Sequence, residues 1–132
     1  MDWYTQLRVS EDLEKKKDKI IDKIEHGVGV PGVYLITLAS NEKNLLDIFT
    51  ADQLLWPVMH RLCPMIIGMT KSYDEAAEMT AAWILEAHEK TGSFQVEPYL
   101  RGMLSEGEEL AIHYPVRKRK PLWRVPFQRK EK

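Results

Sequence analysis

The side chains whose types and spacing most resemble a reactive pair are His60 and Cys63, three positions apart. A cysteine beside a histidine serves as a nucleophile with its base, and the same side chains bind zinc. A structural zinc site needs four ligands and a catalytic site three, but His26, His88 and His113 offer no second paired spacing. The pattern therefore favours a buried structural cysteine beside a central strand over a metal site or a nucleophile.

A single acid, Asp47, stands in the apolar segment between Leu46 and Ile48. A buried carboxylate is costly unless it is paired. A metal-dependent nuclease uses such a strand acid together with a second acid and usually a lysine on a neighbouring strand. Glu42 and Lys43 fall instead in a predicted turn. Two interpretations of Asp47 stay open: a metal-dependent site, or a sheet-edge position where the carboxylate faces water.

The segment Gly27–Gly32 matches G-x-G-x-x-G, the pattern of dinucleotide-binding loops. In those loops a strand turns into a helix whose free N–H groups face the pyrophosphate. Here a helix is predicted before the segment and a strand after it, and Pro31 removes one N–H donor. The segment is therefore predicted to cap a helix and connect it to a strand.

The remaining large or titratable side chains are predicted to be structural. His88 has no His-Glu-x-x-His pattern around it and lies near the end of a predicted helix, as a capping or half-buried residue. Large apolar residues at helix and strand spacing normally pack in a core. Those assigned to the core on this ground are Trp56, Trp83, Met59, Met65, Met69 and Met79. No catalytic, metal-binding or cofactor-binding set is identified.

The composition indicates one globular domain in a reducing compartment. The chain has 132 residues, of which 44% are hydrophobic, enough for one core and too few for two full domains. The single cysteine excludes an intramolecular disulfide. The N-terminal residues lack the pattern of a signal peptide, and no apolar run approaches the roughly 18 residues of a membrane span. A cytoplasmic protein without membrane insertion is expected.

The charges divide sharply along the chain. Residues 1–116 carry 11 Lys and Arg against 19 Asp and Glu, a net −8, whereas residues 117–132 carry 8 against 1, a net +7. We therefore expect a single α/β domain over 1–116 and a basic tail over 117–132. Prolines at 115, 121 and 126 favour an extended tail. The tail residues predicted to bind a partner are Arg117, Lys118, Arg119, Lys120, Trp123, Arg124, Phe127, Arg129 and Lys130.

Hydrophobic periodicity predicts the order β-α-β-β-α-β-α-β. Strands are predicted at 3–9, 33–39, 45–49, 65–69 and 94–100, helices after Ser10, from Ala51 and after Ser72, and 110–114 is a candidate for one more short strand. Capping boxes begin at Thr50 and at Ser72. Pro57 is expected to kink or end the second helix, and Pro98 suggests an edge strand. The predicted fold class is α+β, or mixed α/β, with helices packed on one mixed sheet.

Several segments together resemble a family of small uncharacterised proteins from Gram-positive bacteria. They are the aromatic first strand, the Glu- and Lys-rich first helix, and the stretches 33–41, 44–48 and 67–76. The resemblance covers about residues 3–100 and leaves the tail outside it. It implies a bacterial source, and no activity, cofactor or site.

The charge division makes a non-enzymatic interaction or regulatory protein the leading expectation. Its basic tail would contact an acidic protein surface on its own body, on another subunit or on a partner. One alternative is a nucleic-acid-binding protein, because cations neutralise phosphates while Trp123 and Phe127 stack on bases. Another is a small enzyme with a pocket around Asp47, His60 and Tyr73. No cofactor is expected, and a homo-oligomer stays open.

Overall fold

A computed structural model describes residues 1–39, 45–104 and 107–113. The helices and strands are β1 (Asp2–Val9), α1 (Lys17–Glu25), β2 (Tyr34–Leu38), β3 (Leu46–Thr50), α2 (Pro57–Leu62), β4 (Ile66–Thr70), α3 (Tyr73–Thr91), α4 (Val96–Gly102) and β5 (Ala111–His113). Two 3₁₀ helices, Glu11–Lys16 and Ala51–Leu55, precede α1 and α2. The basic tail lies outside the described residues.

The five strands form one mixed sheet in the order β3-β2-β4-β1-β5. Strands β1 and β4 run parallel, and the other neighbours are antiparallel. The predicted hairpin is confirmed, because β3 returns alongside β2 with Leu38 opposite Leu46 and Tyr34 opposite Thr50. The middle strand β4 is buried at all five positions, as expected of a strand covered on both faces. The predicted α+β class with one mixed sheet is therefore correct.

Each face of the sheet carries its own hydrophobic cluster, because successive strand side chains point to opposite sides. Trp3 packs with residues of α1 and of the 3₁₀ helix before α2, whereas its neighbour Tyr4 packs with α3 and α4. Gly68 in β4 makes close packing possible on the second face. A Cβ atom there would lie 2.6 Å from Met79 Sδ of α3 and 2.9 Å from Ile36 Cδ1 of β2.

The predicted helix boundaries are set by local chemistry. The backbone N–H of Thr50 donates to Gln53 Oε1 at 2.7 Å, and the Glu75 N–H donates to Ser72 Oγ at 3.1 Å, so both capping positions begin helices. Pro57 begins α2 directly after the 3₁₀ helix has ended. It fits there because the first position of a helix needs no N–H donor. Gly92, with φ of 80°, ends α3.

The predicted edge strand over 94–100 is wrong, because this segment forms α4. Pro98 is the third helical residue, so it lies in the first turn, where backbone N–H groups have no partner within the helix. Val96, Tyr99 and Leu100 are buried at helical spacing. The sheet ends instead at β5, in the segment that was a candidate for a further strand, with Ala111 opposite Tyr4 of β1.

Candidate interaction surface

The residues of the predicted enzyme pocket are held by different parts of the fold. Asp47 lies half-buried on the edge strand β3, opposite Thr37. Tyr73 packs edge-on against Tyr34 with ring centroids 6.1 Å apart, whereas His60 lies in α2 on the other face of the sheet. Within residues 1–39, 45–104 and 107–113, no group of three or more His, Cys, Asp or Glu side chains is placed to hold a metal ion.

A buried carboxylate, Glu25, is the centre of a polar cluster at the end of α1. Its side chain is 6% exposed and accepts a 2.6 Å hydrogen bond from the Trp3 indole N–H. His60 Nε2 lies 3.9 Å from Glu25 Oε1, and the Met1 amino nitrogen lies 3.8 Å from Oε2. The cluster joins β1, α1 and α2. Sequence reasoning missed it, although Glu25 follows the buried Ile21 by four residues and so shares its face of the helix.

Cys63 lies next to this cluster and is half-buried at the end of α2. Burial raises the pKa of its thiol to about 12. The Sγ atom donates to the carbonyl of Pro64 at 3.3 Å. A nucleophilic cysteine is a thiolate at neutral pH, with a lowered pKa, so this environment opposes that chemistry and fits the structural interpretation.

A second polar cluster joins β1, α3 and α4. Arg8 Nη2 lies 2.8 Å from both carboxylate oxygens of Glu86, and the Tyr99 hydroxyl donates to Glu86 Oε2 at 2.8 Å. The Arg8 guanidinium also stacks on Trp83, 3.6 Å from the ring centroid. Burial and the bond to Glu86 raise the pKa of Tyr99 to about 12. Arg8, Glu86 and Tyr99 are bound to one another across three elements, so we assign the cluster a structural role.

Burial opposes ionisation of Glu86, but the hydrogen bonds from Arg8 and Tyr99 outweigh it and hold the pKa of this carboxyl below its ordinary 4.5. We expect Glu86→Gln to lower the free energy of unfolding by about 1 kcal/mol at neutral pH, since the pair is partly exposed. Because the folded-state pKa is depressed, this contribution is complete above the ordinary pKa and is lost as pH falls through the folded-state value. Urea unfolding across that range checks the trend.

The matched control for this variant is Glu97→Gln, which removes an exposed partner of Arg101 at 2.8 Å within α4. Exposed pairs of this kind contribute only a few tenths of a kcal/mol, so this variant should unfold much like the wild type. A deficit in Glu86→Gln that stays constant into strongly acid solution would contradict the assignment of its cost to the ionised carboxylate.

A cleft of about 270 Å³ lies between the end of α3 and α4. Its lining residues are Lys90, Thr91, Pro98, Tyr99, Gly102 and Met103. The Tyr99 hydroxyl is already bound to Glu86, and Lys90 is the charged residue of the lining. The cleft therefore offers a cation beside apolar surface, without a paired acid and base.

Three large apolar side chains are exposed on one short segment, which we call the α2 patch: Trp56, Val58 and Leu62, at 66%, 53% and 73% exposure. The prediction that Trp56 lies in the core is wrong, whereas Trp83, Met65 and Met69 are buried and Met59 and Met79 are partly buried. The 3₁₀ helix ends before Pro57, and α2 begins at this proline. No residue of α2 is buried. The patch is thus an outward-facing apolar surface.

Two further predictions concern His88 and the segment Gly27–Gly32. Of the two positions predicted for His88, capping or half-buried, the structure agrees with the first: His88 is exposed in the last turn of α3, and its ring stacks on Phe94 with centroids 4.3 Å apart. The segment Gly27–Gly32 connects α1 to β2, and Gly27 and Gly32 have positive φ, as a helix cap and connection require.

The tail residues predicted to bind a partner, Arg117–Lys120, Trp123, Arg124, Phe127, Arg129 and Lys130, lie outside the described residues. Among the described residues, no helix has the length and apolar character that crossing a membrane requires. No protein-family model, curated protein or solved structure matches the chain.

Proposed function

We propose that this is a non-enzymatic interaction protein whose basic tail binds an acidic protein surface. The observation that carries the proposal is the division of charge between a body of net −8 and a tail of net +7. A body with this charge repels acidic partners. The tail gathers eight cations into 16 residues, so it would supply the attraction.

The range of electrostatic forces supports a local role for the tail. At physiological ionic strength charges are screened beyond about 8 Å. An acidic partner that approaches the tail therefore responds mainly to the cations nearest to it, and less to the body's carboxylates. Four of the eight cations are arginine, which binds carboxylates through paired N–H donors.

The polar clusters of the described body favour this proposal over the enzyme alternative. The Arg8–Glu86 and Trp3–Glu25 contacts are bonds between helices and strands, and the Cys63 thiol has a pKa of about 12. Each of these groups is accounted for by its role in holding the fold.

Retention on immobilised poly-L-glutamate, a model acidic polypeptide, tests the proposal. The full chain is expected to bind at low salt and to be released as salt rises, because the contacts are ionic. The tail variant R117Q/K118Q/R119Q/K120Q is expected to lose this retention. The matched control K15Q/K16Q/K19Q/K23Q removes four exposed cations from the α1 region and is expected to keep it. Equal retention of the tail variant and the wild type would refute the proposal.

Nucleic-acid binding is the second candidate, favoured by the aromatic residues Trp123 and Phe127 among the cations. Aromatic rings stack on unpaired bases, which adds about 1–3 kcal/mol per base to the ionic contacts. The same protein is tested on single-stranded DNA. If DNA holds the protein at salt concentrations that release it from poly-L-glutamate, and Trp123→Ala weakens only the DNA complex, the second candidate replaces the first.

A further inference from the structure

The α2 patch is an unusual surface for the described part of the chain. The other large apolar side chains that are exposed there are far apart in the chain, such as Tyr73 and Leu85, twelve residues apart on α3, and Ile112 of β5. The patch places three of them within seven residues. Val58 and Leu62, four residues apart, share one side of α2. The next residues along, Met59 and Cys63, pack against the core.

We propose that the α2 patch is the docking site of this chain's own tail, with Trp123, Val125 and Phe127 lying against it. The inference rests on the proposed function, because the docked segment belongs to the same tail that would bind the acidic partner. It goes beyond that function by naming the surface of the body on which the tail would lie.

The tail leaves the body at the end of the sheet where β1 and β4 begin and β5 ends. β5 ends at His113, which pairs with Asp2 of β1, and Trp3 in turn pairs with Ile66 at the beginning of β4. Neighbouring strands are about 4.8 Å apart, so β5 and β4 are separated by about 10 Å. α2 ends only four residues before β4 begins. The last described residue and the end of α2, which carries Leu62, therefore lie at the same end of the sheet.

The length of the tail is sufficient for this contact. Trp123 follows His113 by ten residues, which extend to at most about 36 Å. Such a short connection also gives the tail a millimolar effective concentration at surfaces within its reach. A modest apolar contact is then enough to keep the tail docked.

The sequence of the tail matches an apolar surface. In a strand-like chain alternate side chains point to opposite sides, and the docked segment would have this conformation. Trp123, Val125 and Phe127 then share one side, while Arg124 and Gln128 point to the other. The apolar side would cover the patch, and the polar side would face solvent or a partner.

The charges beside the patch are compatible with this orientation. Arg61 is exposed between Val58 and Leu62 and would repel the tail's cations, so they are directed away from α2.

Amide resonances of uniformly ¹⁵N-labelled full-length protein test the docking. Relative to wild type, W123A/F127A is expected to shift the resonances of residues 56 and 58–62 and to speed their hydrogen exchange. The tail control R129Q/K130Q is expected to leave them in place, because it removes charge and keeps Trp123, Val125 and Phe127. Unchanged resonances at α2 in W123A/F127A would overturn the proposal.

The reciprocal variants are Leu62→Gln in the patch and Leu85→Gln on α3, two exposed leucines on opposite faces of the sheet. Leu62→Gln is expected to shift the indole N–H resonance of Trp123, whereas Leu85→Gln leaves it unchanged. Resonances of α2 that move on dilution would mean that a second copy covers the patch, and would overturn docking within one chain.

The outcomes for docking and for function can be separated. R117Q/K118Q/R119Q/K120Q is expected to lose retention on poly-L-glutamate while its α2 resonances stay at the wild-type positions. If W123A/F127A leaves α2 unchanged but the full chain still binds poly-L-glutamate, docking is refuted and the proposed function stands. If α2 responds but the full chain does not bind poly-L-glutamate, the proposed function is refuted and docking stands.

Discussion

Replacing Trp83 by alanine is expected to lower the free energy of unfolding by about 3–5 kcal/mol. The Trp83 side chain is 1% exposed and packs in the core on the α3 side of the sheet. The Tyr4 ring meets it edge-on at 5.8 Å, and the Arg8 guanidinium covers its face. Alanine would leave a cavity between α3 and the sheet and would remove the platform under Arg8. Urea denaturation monitored by circular dichroism measures the loss.

The conservative variant Trp83→Phe separates packing from hydrogen bonding. Within the described part of the chain the indole N–H of Trp83 is buried without an acceptor. Phenylalanine therefore removes no hydrogen bond from this part of the fold and keeps an aromatic ring next to Tyr4 and Arg8. We expect it to cost less than half as much as alanine. Equal losses in the two variants would show that ring packing is not the source of the stability.

Trp3→Phe is expected to cost about 1.5–3 kcal/mol, because the indole N–H of Trp3 donates to the buried Glu25 carboxylate at 2.6 Å. Phenylalanine fills most of the same space but donates no hydrogen bond. The main cost is then a buried charge deprived of a donor. Urea unfolding of the single variant at neutral pH measures it.

A double-mutant cycle shows whether the cost arises from Glu25. In a Glu25→Leu background no carboxylate is left without its donor, so the further change Trp3→Phe is expected to cost under about 1 kcal/mol. If Trp3→Phe costs the same in both backgrounds, the loss comes from packing of the ring and not from the hydrogen bond.

Residues 45–49 and 94–100 show when a sequence pattern predicts secondary structure correctly and when it does not. The capping box at Thr50 places a helix start immediately after residues 45–49 and so predicts a strand for them, which β3 confirms. In 94–100 the alternation and Pro98 indicated a strand. The same residues bury Val96, Tyr99 and Leu100 at helical spacing against α3. Seven residues contain too few repeats to separate the two periods, so tertiary packing decided.

The polar clusters could not be read from the sequence because their members are distant in it. Arg8 and Glu86 are 78 residues apart, and Trp3 and Glu25 are 22 apart. Nothing in the local spacing of such residues marks them as partners. The parallel pairing of β1 with β4, and the helices on the two faces, bring them together.

The sequence by itself determined the α+β class, the hairpin of β2 and β3, the helix starts at the two capping positions, and the acidic body with its basic tail. These features depend on periodicity, capping chemistry and composition, which are local or additive. The tertiary structure alone decided that Trp56 faces outward with Val58 and Leu62, because burial depends on which elements pack over a residue. Hydrophobicity predicted a core position for this tryptophan, and the fold instead makes it part of an exposed surface.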